Sequence, residues 1–185
     1  MGNNPGFVLW FTGLSGAGKT TIALALMPKL KELGMNVERL DGDVVRDSLT
    51  KDLGFSKEDR DKNIERVTFV AKLLSRNNVA VLASFISPYA ETRDYVRNET
   101  TNFIEVYVST PLEVCEERDV KGMYAKARSG EIKNFTGISD PYEAPLNPDI
   151  EVPTHVQTIE ESANFLMAEL EKRGLLPQPV VSNRG

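Results

Sequence analysis

This sequence predicts a three-layer α/β/α fold built on a parallel β-sheet, and three observations lead there. Short apolar runs alternate with longer amphipathic ones along the chain, so strands and helices should follow one another. Helices between strands cover both faces of a parallel sheet, and ligands then gather at the carboxyl ends of the strands. A G-x-x-x-x-G-K-[ST] loop, GLSGAGKT at residues 13–20, joins the first apolar run to the first helical stretch, the setting which that motif needs. The 185 residues, 41% hydrophobic and 26% charged, suit one such domain with a sizeable core and leave little for a second.

Taken in order, FVLWFT at 7–12 is apolar up to Phe11, as suits a strand buried on both faces. A helix over 19–33 stops at Gly34, and the alternating NVERL gives a strand at 36–40. A short helix at 43–49 follows, then a longer one at 57–77 that starts behind Ser56 with carboxylates in its first turn. VAVLAS makes a strand at 79–84, and Ser87 before Pro88 reads as the cap of a helix at 88–98. FIEVYV gives a strand at 103–108, Thr110 before Pro111 opens a helix at 111–118, and a weaker strand at 150–152 precedes a last helix at 159–173 closed by Gly174. Residues 121–145 are polar, carry both signs of charge and contain Gly122, Gly130 and Gly137 as hinges. They predict a mobile lid inside a domain spanning 1–174, with a disordered surface loop as the alternative. Residues 175–185, with two prolines and no periodicity, read as a loose tail or an arm that packs on a partner.

The glycine-rich loop carries the clearest chemistry. Gly13, Gly16 and Gly18 permit turns that aim successive N–H groups at a polyphosphate, and the following helix adds its positive end. Leu14, Ser15, Ala17 and Thr21 complete the nucleotide-binding stretch, Lys19 places a charge on the β- and γ-phosphates, and the Thr20 hydroxyl is the candidate magnesium ligand.

Charge and composition exclude other classes. A net charge of −5 argues against a general nucleic-acid binder. No apolar run is long enough for a bilayer and the N-terminus lacks the layout of a secretory signal, so a cytoplasmic protein is expected. One cysteine, Cys115, leaves no internal disulfide and reads as a small buried residue on a helix. The single histidine, His155, lies far along the chain from the loop, so proton transfer must fall to a carboxylate, a lysine or water. Phosphoryl transfer fits that inventory, because positioning and electrostatics supply most of its rate.

LDGDVVR, residues 40–46, follows the second strand and places Asp41 and Asp43 where the phosphates should lie. Either carboxylate can orient magnesium through water or accept a proton from an attacking hydroxyl, and either can simply cap the next helix. Arg46, one turn on, can fork onto a phosphate or sulfate or make a surface salt bridge.

These segments, with GFSKEDRDKNIER (54–66), FISPY (85–89) and ERDVKGMYAKARSGEIKNFTGISDPYEAP (117–145), closely resemble the adenylyl-sulfate kinase family from about residue 7 to 170. The resemblance implies a P-loop kinase fold in which ATP and Mg2+ phosphorylate the ribose 3′-hydroxyl of adenosine 5′-phosphosulfate, and it implies a homodimer. Carried over, the acceptor site falls on Asp43, Val44, Val45, Arg46, Phe55, Arg60, Asp61, Lys62, Asn63, Ile86, Ser87, Lys121, Asn134 and Phe135, with Asp41 beside them. In that reading Arg46 and Arg60 hold the phosphosulfate, Phe55 and Phe135 sandwich the adenine, Asp43 holds the 3′-hydroxyl, and Lys19 with Lys121 neutralise developing charge. The serine equivalent to Ser87 is a phosphoserine position in the family, which allows a phosphoenzyme route; Ser before Pro at a helix start favours a plain cap and direct transfer.

The chain departs from the family at Glu65, where relatives often carry a basic residue, and at Asn134, where many carry glycine. VAVLASF also lacks an evident strand-end carboxylate, which leaves metal positioning to Thr20, Asp41, Asp43 and water. Two alternatives stay open: another small-molecule kinase, acting on a sugar acid or shikimate, and a non-catalytic nucleotide-binding module.

Overall fold

A computed structural model describes residues 5–177. Strands β1 (Phe7–Thr12), β2 (Asn36–Asp41), β3 (Val79–Ser84), β4 (Phe103–Val108) and β5 (Ile150–Val152) form one sheet in the order β2-β3-β1-β4-β5, and every pairing is parallel. The helices are α1 (Lys19–Glu32), α2 (Gly42–Asp47), α3 (Lys57–Ser75), α4 (Ala90–Glu99), α5 (Leu112–Arg118), α6 (Met123–Arg128) and α7 (Ile159–Lys172). β1 is central, and all six of its residues are buried. Alternate residues of β1 feed two separate cores, as the two-residue period of a strand requires. Phe7, Leu9 and Phe11 pack with Ile22 and Leu26 of α1 and Leu166 of α7, whereas Val8 and Trp10 pack with Ile64 and Val67 of α3 and Val96 of α4. The sheet is thus covered on both faces. Because β3 and β4 flank β1, the loop after β1 emerges in the crevice at the sheet's carboxyl edge, where an open α/β sheet binds ligands.

The strands fall where the sequence places them, with β2 one residue longer, and the helices differ from expectation only near their ends. α6 was not foreseen, since six residues between Gly122 and Gly130 are too few to display a helical period. Ser56 caps α3 as expected, accepting from Asp59 N at 3.1 Å. The other two expected caps are corrected. α4 starts at Ala90 behind Tyr89, and α5 starts behind Pro111, neither with a side-chain cap, because the Ser87 and Thr110 hydroxyls are spent on tertiary partners. Of the expected tail, Leu175 is buried against the core and donates its N–H to Leu170 O at 3.0 Å; the remainder, 178–185, lies outside the described residues.

Candidate active site

The loop between β1 and α1 is shaped by backbone demands. Gly13 has φ +149°, and a Cβ there would sit 2.7 Å from Val108 O, so β4 leaves no room for a side chain. Gly18 precedes α1 at φ +105°, with no side-chain cap and no acidic residue in the helix's first turn. The N–H groups and positive end of α1 are therefore left for an anion. Four side chains hold the loop's carbonyls from behind: Arg118 donates to Gly16 O at 3.2 Å, Thr154 and Thr110 to Ala17 O at 2.7 and 3.0 Å, and Tyr124 to Ser15 O at 2.8 Å. Of the four, the sequence singles out Thr110 alone, and as a helix cap; Arg118, Tyr124 and Thr154 come from α5, α6 and the loop after β5, and only the fold collects them.

Lys19 folds back to donate to Gly13 O at 2.8 Å and Leu14 O at 2.7 Å. Its burial lowers the ammonium pKa to about 8, the nearby Lys121 adding to the effect and Asp41 and Asp43 opposing it. Thr20 donates its hydroxyl proton to Asp41 Oδ2 at 2.7 Å, which leaves the oxygen's lone pairs available to a cation. Asp41 also accepts from Arg39 at 2.9 Å and from Asp43 N at 3.1 Å, the latter capping α2. The capping and metal-side readings of Asp41 thus describe one carboxylate. Among the described residues no group of three or more His, Cys, Asp and Glu side chains can hold a metal, so a cation here would rest on phosphate oxygens, Thr20 and water.

On the acceptor side, Asp43 is ion-paired with Lys121, which bridges α2 to the segment after α5. Val44 is exposed while Val45 turns into the α3-side core. Arg46 donates to Gly54 O at 3.0 Å and lies over the Phe55 ring, 4.3 Å from its centroid. Burial, then the neighbouring Arg60 cation, lowers the Arg46 pKa, with Asp59 and Asp43 opposing the shift. Arg60 in turn donates to Phe55 O and Thr136 Oγ1, each at 2.9 Å, and to Asn134 O, and pairs with Asp140 at 3.2 Å. Asn134 itself sits at φ +56°, a conformation that glycine adopts freely and asparagine tolerates.

Not every expected residue joins this cluster. Asn63 is buried and accepts from Thr50 at 2.7 Å, Asp61 pairs with Lys57 at 2.8 Å, and Lys62 is exposed and pairs with Glu58 at 2.8 Å. Glu65 is exposed in a shallow groove with Leu49, Phe69 and Tyr95. Phe55 is 59% exposed, but Phe135 is 7% exposed and packs edge-on against Tyr124 with centroids 5.0 Å apart. The Phe135 ring thus belongs to the α1-side core while the Phe55 ring faces outward. Cys115 is buried on α5, where burial raises its thiol pKa, and His155 is exposed.

Beyond β3 the chain is clamped. Ser87, at φ +41° and buried, accepts from the Trp10 indole at 3.0 Å and donates to Phe85 O at 3.3 Å. Its carbonyl accepts from Arg93 at 2.8 Å, which is itself ion-paired with buried Glu105 at 2.8 Å. Ile86 O accepts from Thr12 at 2.7 Å, and Thr12 is hydrogen-bonded with the Tyr142 hydroxyl at 2.9 Å. Glu143 N donates to Pro88 O at 2.8 Å and Arg93 reaches Glu143 O at 2.7 Å, so the end of the expected lid is docked on the FISPY segment.

The adenylylsulphate kinase family profile matches residues 5–153. A Pseudomonas aeruginosa protein named "Probable adenylyl-sulfate kinase" is 77% identical over 167 residues, covering 90% of this chain and 78% of the relative. The adenylyl-sulfate kinase of Halothermothrix orenii is 60% identical over 179 residues, covering 97% of each. The Mycobacterium tuberculosis APS kinase CysC, solved in complex with AMPPNP and APS, superposes with a TM-score of 0.86 at 46% identity, over 90% of this chain and 98% of that one. With the phosphate loop, the LDGDVVR turn and the Arg46–Phe55–Arg60 cluster all at one edge of the sheet, the chain belongs to the adenylyl-sulfate kinase family.

Proposed function

We propose that this protein transfers the γ-phosphoryl group of ATP to the 3′-hydroxyl of adenosine 5′-phosphosulfate, giving 3′-phosphoadenylyl sulfate and ADP in sulfate activation. The observation that carries this reading is the pairing of an uncapped α1 N-terminus with a second, separate cationic site, Arg46 and Arg60 beside an exposed Phe55. The first suits a triphosphate. The second suits a nucleotide that brings both a dispersed negative charge and a flat base. A gluconate or shikimate acceptor needs no exposed ring.

In the proposed reaction the 3′-oxygen bonds to the γ-phosphorus as the bond to the β–γ bridging oxygen breaks, and the hydroxyl proton passes to Asp43 or to solvent through it. Lys121 holds Asp43 in place, and Lys19, released from the loop carbonyls, meets the β- and γ-phosphates. Thr20, oriented by Asp41, would hold magnesium, which when bound would supply neutralisation of phosphate charge. Both sides of the Ser87 hydroxyl are occupied within the core, which supports direct transfer over a phosphoserine intermediate. Residues 121–145 act as a lid over both nucleotides within a single domain spanning 1–174, with Gly122, Gly130 and Gly137 as its hinges and Arg60 and Arg93 gripping it. We further place the enzyme in the cytoplasm, where ATP is abundant, as a homodimer; the exposed Leu49, Phe69 and Tyr95 offer an apolar surface for pairing.

The test is a coupled assay of ADP release with magnesium, ATP and each acceptor in turn, with the nucleotide product identified by mass. ADP and the doubly phosphorylated nucleotide are expected with adenosine 5′-phosphosulfate and not with gluconate or shikimate; binding of ATP without transfer to any acceptor would refute the reading.

A further inference from the structure

β3 ends not on a carboxylate but on Ser84. In the parallel register Ser84 is level with Asp41 of β2 and Phe11 of β1. Residues paired in this way project to the same sheet face, and Ala80, Leu82 and Phe11 lie in the α1-side core, so the Ser84 side chain points toward α1 beside the Asp41 carboxylate. Asp41 there receives the Thr20 hydroxyl at 2.7 Å in the first turn of α1. Ser84 is 4% exposed, and among the described residues its Oγ is the one buried side-chain polar atom without a hydrogen-bond partner. Buried polar groups are paired in nearly all proteins, and an exception beside a reaction centre asks for a ligand to complete it.

We propose that the Ser84 hydroxyl is a positioning residue for the hydrated cation that accompanies the nucleotide, holding one of its waters in the place of the missing strand-end carboxylate. The inference rests on the reading of the chain as an ATP-dependent kinase. Magnesium bound to phosphates keeps several waters, and each of these donates hydrogen bonds that need acceptors. Asp41 is already engaged by Thr20, Arg39 and Asp43 N, so a second oxygen at the same height completes the set. Ser84 supplies two lone pairs without adding a buried negative charge next to Asp41.

Ser84→Ala deletes an atom that breaks no contact in the free protein, so the unliganded variant should melt at or above the wild-type temperature. Calorimetric titrations with ADP, run once in magnesium and once in EDTA, then separate metal positioning from the fold. The variant should lose about threefold to tenfold in affinity in magnesium, the share of one hydrogen bond, and nothing in EDTA. Equal affinity in magnesium overturns the proposal, as does an equal loss in both titrations, a lower melting temperature without ligand, or a wild type indifferent to magnesium. A wild type that binds ADP under neither condition sinks the kinase reading itself.

Discussion

Lys121 and Asp43 form an ion pair across 78 residues of sequence, joining the first turn of α2 to the stretch that opens the lid. Both side chains remain more than half exposed, so their mutual attraction adds little to folding. In the proposed reaction it fixes a carboxylate where the acceptor hydroxyl would arrive. Asp43→Asn should lower kcat by about 100-fold or more, because the proton acceptor is gone, while affinity for Mg·ADP stays near wild type. Lys121→Ala should cost about 10- to 100-fold in kcat. Thermal melts of both variants should lie close to the wild type, and a collapse in melting temperature would reassign the pair to structure.

Lys19 makes a pH prediction with a definite sign. Its folded pKa, lowered to about 8 by burial, lies below the unfolded value of 10.5. Between those values the unfolded chain binds more protons, so this group makes the unliganded protein more stable as pH rises from about 8 toward 10.5. Phosphate binding works against that trend, since it needs the ammonium. ADP affinity should therefore decline as pH climbs through 8, and binding near pH 8.5 should take up a proton, read as a dependence of the calorimetric heat on the buffer's ionisation enthalpy. Lys19→Met should bind more weakly and lose both effects.

The two sides of the site differed in how much the sequence disclosed. The phosphate loop is contiguous, so eight successive residues identify it and the flanking strand and helix confirm its setting. Asp41 was recognisable as a cap or a metal-side group because both uses depend on its position just after β2. By contrast Arg118 and Thr154 act on backbone carbonyls far away in sequence, and nothing local distinguishes them from surface residues until the sheet order brings β4 and β5 beside the loop. Ser87 misled for a related reason. Ser-Pro at a helix start is a local pattern, but a buried indole N–H on β1 competes for the same hydroxyl, and tertiary demand outweighs a cap that water can replace.

That competition fixes what Ser87→Ala should do. Removing the hydroxyl leaves the buried Trp10 indole without its acceptor, at a cost of about 1–3 kcal/mol in denaturant unfolding. Direct transfer does not use the hydroxyl, so kcat should stay within about threefold of wild type once the variant is folded. Turnover abolished in a folded variant that still binds ATP would establish the phosphoserine route instead.

Phe55 and Phe135 were expected to act as equals, and the fold separates them. The Phe55 ring is 59% exposed beneath the Arg46 guanidinium, so it adds little to stability and remains available for a base to stack on. Phe55→Ala should leave the melting temperature nearly unchanged and raise the KM for adenosine 5′-phosphosulfate by about tenfold or more, the effect of one lost stacking face at roughly 1–3 kcal/mol. Phe135 is 7% exposed and packed on Tyr124, whose hydroxyl donates to Ser15 O of the phosphate loop. Phe135→Ala opens a cavity there and should destabilise the protein by about 3–5 kcal/mol. Through Tyr124 it should also loosen the loop, so its kinetic damage should fall on ATP as well as on the acceptor. Steady-state kinetics with each substrate varied in turn distinguish the two rings: a Phe135 variant that is stable and impaired toward the acceptor alone would restore the sandwich.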